Sequence, residues 1–339
     1  MKLAGDVMVT GGLGFLGSAF ARMAARAGAR VINLDAFTYA ADERRLAELP
    51  PGAVRTARLD VADEPVVEAV VRAAPSMIVH FAAESHVTRS ERHPDLFYHS
   101  NVEGTRRVLE ASEAAGTELV VHVSTDEVYG PCKASPFKEE DKLPEEGLAT
   151  SAYARSKALA DDLARSYRDR VPVTVVRPTN CYGPWQHPEK AIPRWATRAL
   201  RGERVPVWGD GMHTRDWMHV DDACRGIRTV VERGAPGEVY NLGPQGEQLP
   251  NVAIARALRE LAGGGEGLVY LTAYDRPDHD RRYAIDSSRL RALGWSPRHG
   301  LVDGLRSTLE WYRRNVSWWA PLVKDADLLY GDDAERSLS

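Results

Sequence analysis

The 339-residue sequence predicts an α/β protein, a doubly wound parallel sheet followed by a smaller C-terminal lobe. Three observations predict it. Short β-branched runs alternate with longer stretches of helical period through the first half, a glycine-rich turn stands directly behind the first run, and the texture turns proline-rich after Arg177. Alternating strands and helices build a parallel sheet covered on both faces.

The β-branched runs predict strands at residues 7–10, 31–35, 54–61, 77–83, 119–124 and 173–177. Between the first two, Phe20, Met23, Ala24 and Ala27 share one helical face, and Gly28 supplies a C-terminal stop. Pro178, Pro184, Pro188 and Pro193 then cluster, followed by a helical stretch over 191–201 and a turn-rich segment to 222. The reading is therefore a first domain over 1–178, a second lobe over 179–330, and a strand-like segment near 236–245 that returns to the sheet. Leu301, Leu305, Leu309 and Tyr312 recur at helical spacing and read as core packing. The polar tail after Tyr330 is expected to fray.

Composition removes several classes of function. A net charge of −4 with no basic block argues against nucleic-acid binding. Cys132, Cys181 and Cys224 stand far apart without a CxxC pair, which argues against a zinc site or a disulfide framework and fits a reducing compartment. No stretch reaches the ~18 apolar residues of a membrane span, and the N-terminal segment lacks a signal-peptide core. A cytoplasmic protein without metal or membrane association is expected.

The first strand runs into Thr10-Gly11-Gly12-Leu13-Gly14-Phe15-Leu16-Gly17. Glycines at 11, 14 and 17 permit the tight strand-to-helix turn, the approach of backbone N–H groups to a pyrophosphate, and close helix packing. This is a Rossmann-type dinucleotide site. Asp35, ending the second strand, suits the adenosine ribose hydroxyls and would repel a 2′-phosphate, so NAD is favoured over NADP despite the nearby Arg44 and Arg45. Asp60 is placed to hydrogen-bond the adenine amine. In Ser151-Ala152-Tyr153-Ala154-Arg155-Ser156-Lys157, Tyr153 and Lys157 fall one helical turn apart. A tyrosine needs help to act as a base at neutral pH, and a neighbouring ammonium favours its phenolate.

The glycine turn combined with Tyr153 and Lys157 resembles the extended short-chain dehydrogenase/reductase family along nearly the whole chain. Within it, Thr125-Asp126-Glu127 resembles the nucleotide-sugar 4,6-dehydratases, most closely the dTDP-glucose 4,6-dehydratase family, whereas related epimerases carry small hydroxyl residues in place of the acids. The resemblance implies oxidation at sugar carbon 4 by Tyr153 with Thr125 and Lys157, elimination by Glu127 as base and Asp126 as acid, and return of the hydride to carbon 6. Oxidation at carbon 4 acidifies the proton on carbon 5, so the elimination needs one carboxylate and one carboxylic acid, which environment can separate.

Further roles follow from the resemblance. Phe15, Leu16, Thr38, Val61, Ala82 and Ala83 would line the NAD site with the glycines. Ser85, His86, Asn180, Glu189, Lys190, Arg215, Asn241, Arg276 and His279 would hold a nucleotide-diphosphate sugar, the two arginines at its diphosphate. The segment 205–208 lies where base contacts are expected. His80 reads as a packed strand residue, and Cys181 as a buried small residue rather than a nucleophile. A homodimer through a helix over 101–115 and the helix beginning near Tyr153 is also implied. Thr88, Ala152 and Asp278 depart from the family's usual Asp, Pro and Gly and leave the exact sugar and base open. The alternatives are a 4-epimerase or a uronate decarboxylase of the same fold, or a catalytically silent NAD-binding regulator. Asp126 and Glu127 oppose the first two, and the complete catalytic set opposes the third.

Overall fold

The structure, a computed structural model, describes residues 3, 5–132, 135–144, 151–246, 248–275 and 279–330. The first half runs β1 (Asp6–Thr10), α1 (Phe15–Arg26), β2 (Arg30–Asp35), β3 (Val54–Arg58), α2 (Pro65–Ala73), β4 (Met77–His80), the short α3 (Val87–Arg92) and α4 (Pro94–Phe97), α5 (Gly104–Ala115), β5 (Leu119–Val123), α6 (Ala152–Ser166) and β6 (Val173–Pro178). It continues with β7 (Cys181–Tyr182), α7 (Ala191–Leu200), β8 (Val205–Trp208), β9 (Met218–His219), α8 (Val220–Arg233), β10 (Val239–Leu242), α9 (Asn251–Leu261), β11 (Val269–Thr272), α10 (Ser288–Ala292), α11 (Leu301–Arg314) and α12 (Val316–Tyr330).

Seven strands form one parallel sheet in the order β3-β2-β1-β4-β5-β6-β10. The order turns around between β1 and β4, which opens a crevice beyond their carboxyl ends, the place where ligands bind in such sheets. Strand alternation feeds two cores. Val7 and Val9 pack with Phe20, Met77 and the α8 residues Ile227 and Val230 on one face, while Met8 and Ile78 pack with Val66, Val70, Val108 and Leu109 on the other. A third apolar cluster, with Ile192, Trp195, Val205, Ile254, Leu258, Leu305 and Leu309, joins α7, β8, α9 and α11 beside the sheet. The 301–312 stripe is core packing, as its spacing predicts.

Two strands are shorter than their sequence runs. β2 ends at Asp35, paired with Arg58, and β1 ends at Thr10, paired with His80. Beyond those residues the neighbours have turned away, so 59–61 and 81–83 have no ladder to join and leave the sheet as loops. The helix expected over 101–115 also begins differently, because residues 98–103 form a π-helical turn before α5. That wider turn holds the Asn101 side chain inward, where it accepts from the Glu84 N–H at 2.8 Å and donates to Ser156 Oγ at 2.8 Å.

Phe20 carries α1 onto the sheet: it is fully buried, with its ring centroid 5.5 Å from that of Phe81. Phe20→Ala is expected to cost about 3–5 kcal/mol, measured as a lowered midpoint in urea unfolding.

Candidate functional site

The glycine turn is shaped by close approaches. Gly11 has φ +69°, and a Cβ there would lie 2.8 Å from the Ala82 backbone; a Cβ on Gly17 would collide with the Gly11 carbonyl oxygen. Gly14 caps α1 in extended conformation with no capping side chain, and no acidic residue occupies the helix's first turn. The N-terminus of α1 is thus open to an anion, and the residues present fit a dinucleotide pyrophosphate.

The turn is the floor of a continuous cleft of about 480 Å³ that runs from Asp35 past Tyr153 to Trp208 and His279. Phe15, Leu16, Thr38, Asp60, Val61, Ala82 and Ala83 all line it. The Asp35 carboxylate accepts from the N–H groups of Leu13 and Phe37, both at 2.9 Å, yet burial pushes its carboxyl above the usual range. Asp60 accepts from the Ala62 N–H at 3.0 Å, so part of its hydrogen-bonding capacity is spent on its own turn. Neither nearby arginine points to a 2′-phosphate. Arg44 is paired with Asp42 at 2.7 Å, and Arg45, 1% exposed, donates to the carbonyls of Leu13, Ala40 and Trp185.

Tyr153 and Lys157 enter the cleft from the first turns of α6. Ser151 caps that helix by accepting from the Ala154 N–H at 3.1 Å, and the Tyr153 N–H donates to Ser90 Oγ at 3.1 Å. Ala152, where the family usually has proline, donates its N–H to Glu91 at 3.3 Å, a bond proline could not make. Lys157 Nζ donates to the Val123 carbonyl at 2.8 Å, and burial brings its ammonium down to about 8. The phenol is not lowered as the sequence suggests. Burial and then the Glu127 charge push Tyr153 up, against a hydrogen bond with Thr125 that favours ionisation.

Thr125, two residues beyond β5, caps a single 3₁₀ turn, Asp126–Tyr129, in which all four residues are buried. Its hydroxyl donates to Asp126 Oδ1 and accepts from the Glu127 N–H, both at 3.3 Å. Asp126 is 2% exposed and its Oδ2 has no hydrogen-bond partner; burial first, then Glu127, raises its carboxyl well above the ordinary value. Glu127 lines the cleft itself. Burial and the neighbouring Glu127 charge therefore both favour the protonated form of Asp126.

On the opposite wall, Ser85, His86, Asn180, Glu189, Lys190, Arg215 and His279 line the cleft as expected from the sequence. Several bind protein groups: Lys190 Nζ donates to the Ser85 carbonyl at 2.8 Å, Glu189 accepts from Tyr39 at 2.8 Å and Arg89 at 3.4 Å, and His279 Nδ1 lies 2.6 Å from Asp275. The Arg215 guanidinium lies 4.4 Å from the Tyr283 ring centroid. Asn180 Oδ1 is buried without a partner. Asn241 is a correction. It sits in β10 away from the cleft lining, where its Oδ1 accepts from the Tyr129 hydroxyl at 2.8 Å and its Nδ2 donates to the Phe137 carbonyl at 3.0 Å, so its side chain serves protein groups outside the cleft. Arg276 and Asp278 lie outside the described residues. His80 is packed as expected, 2.7 Å from Thr10 Oγ1, and burial pushes the Cys181 thiol well up, away from nucleophilic character. Arg194 and Asn251 also line the cleft and went unsuspected, because each reads as an ordinary helix residue.

A family model described as the NAD dependent epimerase/dehydratase family matches residues 7–243. The chain belongs to that family. Within the family it is 42% identical over 330 residues to a dTDP-glucose 4,6-dehydratase of Streptomyces griseus, covering 95% of this chain and 98% of the relative. It is 41% identical over 311 residues to the low-salt glycan biosynthesis protein Agl12 of Haloferax volcanii, covering 91% and 98%. The crystal structure of DesIV, a dTDP-glucose 4,6-dehydratase of Streptomyces venezuelae with NAD and TYD bound, superposes with a TM-score of 0.86 at 41% identity, covering 94% of this chain and 99% of that one. Among the described residues of this family member, no helix is long and apolar enough to cross a membrane.

Gly17→Ala should abolish dinucleotide binding, read by calorimetric titration, while leaving a folded chain by circular dichroism, since the clash falls on the turn itself. Asp126→Asn tests the buried acid through stability. A carboxyl raised in the folded state stabilises fully below its unfolded value of about 4, and that contribution is lost as pH rises through the folded value. The variant should therefore come closest to the parent in thermal unfolding at pH 4 or below, and its advantage should grow as pH rises from there, reaching at least about 2–4 °C by pH 9.

Proposed function

We propose that this protein is an NAD-dependent nucleotide-sugar 4,6-dehydratase, a hydro-lyase acting most readily on dTDP-glucose. The observation that carries the reading is the buried Thr125–Asp126–Glu127 turn beside Tyr153 in a dinucleotide cleft, and the relatives named dTDP-glucose 4,6-dehydratase support the substrate. An epimerase has no use for a buried pair of acids to expel a 6-hydroxyl.

NAD, when bound, supplies the acceptor and later donor of hydride, and its cationic ring would favour the Tyr153 phenolate against the burial that disfavours it. Tyr153 takes the proton of the 4-hydroxyl as carbon 4 becomes a ketone. Glu127 removes the now acidic proton from carbon 5, and Asp126 protonates the 6-hydroxyl so that it leaves as water. Glu127 then returns its proton to carbon 5 as carbon 6 is reduced. The proton on Tyr153 and the vacancy on Asp126 are joined through Thr125, which hydrogen-bonds both side chains and so offers a path to reset the site.

The lobe around α7, β8 and α9 is read as the nucleotide side, with Arg215, Asn180 and Lys190 toward the diphosphate. Buried cysteines at 132 and 224 support a cytoplasmic, reducing location, and the family resemblance supports a homodimer through α5 and α6.

Purified protein supplied with NAD and dTDP-glucose should yield a product lighter by one water, about 18 mass units, with no net reduced cofactor because the hydride is recycled. UDP-, GDP- and CDP-sugars tested alongside rank the base. A product of unchanged mass, or loss of carbon dioxide from a uronate, would sink the dehydratase reading.

A further inference from the structure

Behind the acid turn, and outside the cleft lining, lies a buried polar network that no step above uses. Arg177 of β6 binds Asp161 of α6 through one guanidinium edge, Nε and Nη2 each donating to a carboxylate oxygen at 2.9 and 2.7 Å, with the two side chains 1% and 0% exposed. Its remaining nitrogen donates to the Tyr129 hydroxyl at 2.6 Å, and that hydroxyl donates to Asn241 Oδ1 at 2.8 Å. The Tyr129 ring stacks on Phe137 with centroids 5.0 Å apart and planes 7° from parallel.

The network joins the two halves of the chemistry. Asp161 lies one helical turn beyond Lys157, so its ion pair holds the helix that carries Tyr153 and Lys157. Tyr129 ends the 3₁₀ turn that begins with Asp126, and a turn of four residues pinned at both ends cannot rotate. Its leading end is fixed by Thr125, which follows β5 and caps the turn; its trailing end is held by the Tyr129 side chain, whose hydroxyl carries the polar anchorage while Val128 and the Tyr129 ring pack in an apolar cluster. Releasing the Tyr129 hydroxyl would free the carboxyls of Asp126 and Glu127 to swing while the sheet and α6 stay in place. Bidentate guanidinium geometry makes Arg177 a stiff strut between them.

We propose that Tyr129 is a positioning residue that sets Asp126 and Glu127 against the Tyr153–Lys157 helix, with Arg177, Asp161 and Asn241 as its anchorage. The proposal rests on the dehydratase reading and divides that reaction in two. Oxidation depends on Tyr153, Thr125 and Lys157, whereas elimination depends on the turn that Tyr129 holds.

The test uses the NAD-loaded protein with dTDP-glucose. Tyr129→Phe keeps the ring stack and removes one hydroxyl. The expected result is a kcat for water loss at least about tenfold lower, with KM and NAD content within about twofold, and bound reduced nicotinamide accumulating during turnover, seen by its near-ultraviolet absorbance. Asn241→Ser, which removes the acceptor of the same hydroxyl, should move kcat and accumulation in the same direction with KM unchanged. Unaltered turnover in Tyr129→Phe, or a fall in kcat without reduced nicotinamide in a folded protein, overturns the proposal. So does a raised KM with unchanged kcat in Asn241→Ser, which would return that residue to the substrate. A parent protein that releases no water removes both readings, whereas an active parent beside an unaffected Tyr129→Phe removes this one alone.

Discussion

Everything at the site depends on where β1 stops. Thr10 is its last residue, and its hydroxyl contacts His80 Nδ1 at 2.7 Å and accepts from the Ala82 N–H at 3.2 Å, while His80 Nε2 reaches Thr105 of α5 at 3.1 Å. One buried side chain thus ties the central strand to β4, to the loop after it, and through the imidazole to the helix behind. Burial holds that imidazole down to about 3, so it serves as a neutral link at any ordinary pH. Because β1 ends there, the chain must turn back at Gly11 and the loop after β4 must leave the sheet, as the loop after β3 does where β2 ends at Asp35, and together these make the cleft.

The electrostatics of the cleft are set by exclusion of water more than by partners. Asp35, Asp126, Tyr153 and Lys157 are all shifted first by burial, each in the direction that disfavours its charged form. Glu127, buried in the same turn, lines the cleft, and its charge adds to the burial that raises Asp126 beside it.

Much of this was legible in the sequence wherever the signal is local. β-branched runs mark the strands, glycine spacing marks the turn, and the one-turn separation of Tyr153 and Lys157 marks a shared helical face. Strand ends were misjudged at 59–61 and 81–83 because an end is decided by the partner's last residue, which composition does not report. Asn241 was misassigned for a similar reason: a polar residue before a glycine at a strand end looks like a ligand, and what occupies it is a tyrosine 112 positions away. Arg177 and Asp161 were invisible as a pair, since an arginine in a strand and an aspartate in a helix are each unremarkable alone.

The adenosine end depends on the far end of the chain. Trp318 of α12 donates its indole N–H to Asp42 at 2.7 Å across 276 residues, and its ring lies 5.7 Å from the Arg45 guanidinium that gathers the Leu13, Ala40 and Trp185 carbonyls. The first βα unit is a local structure, but the wall around Arg45 is closed by a contact of long sequence separation, so a chain lacking α12 would carry the glycine turn without this buttress.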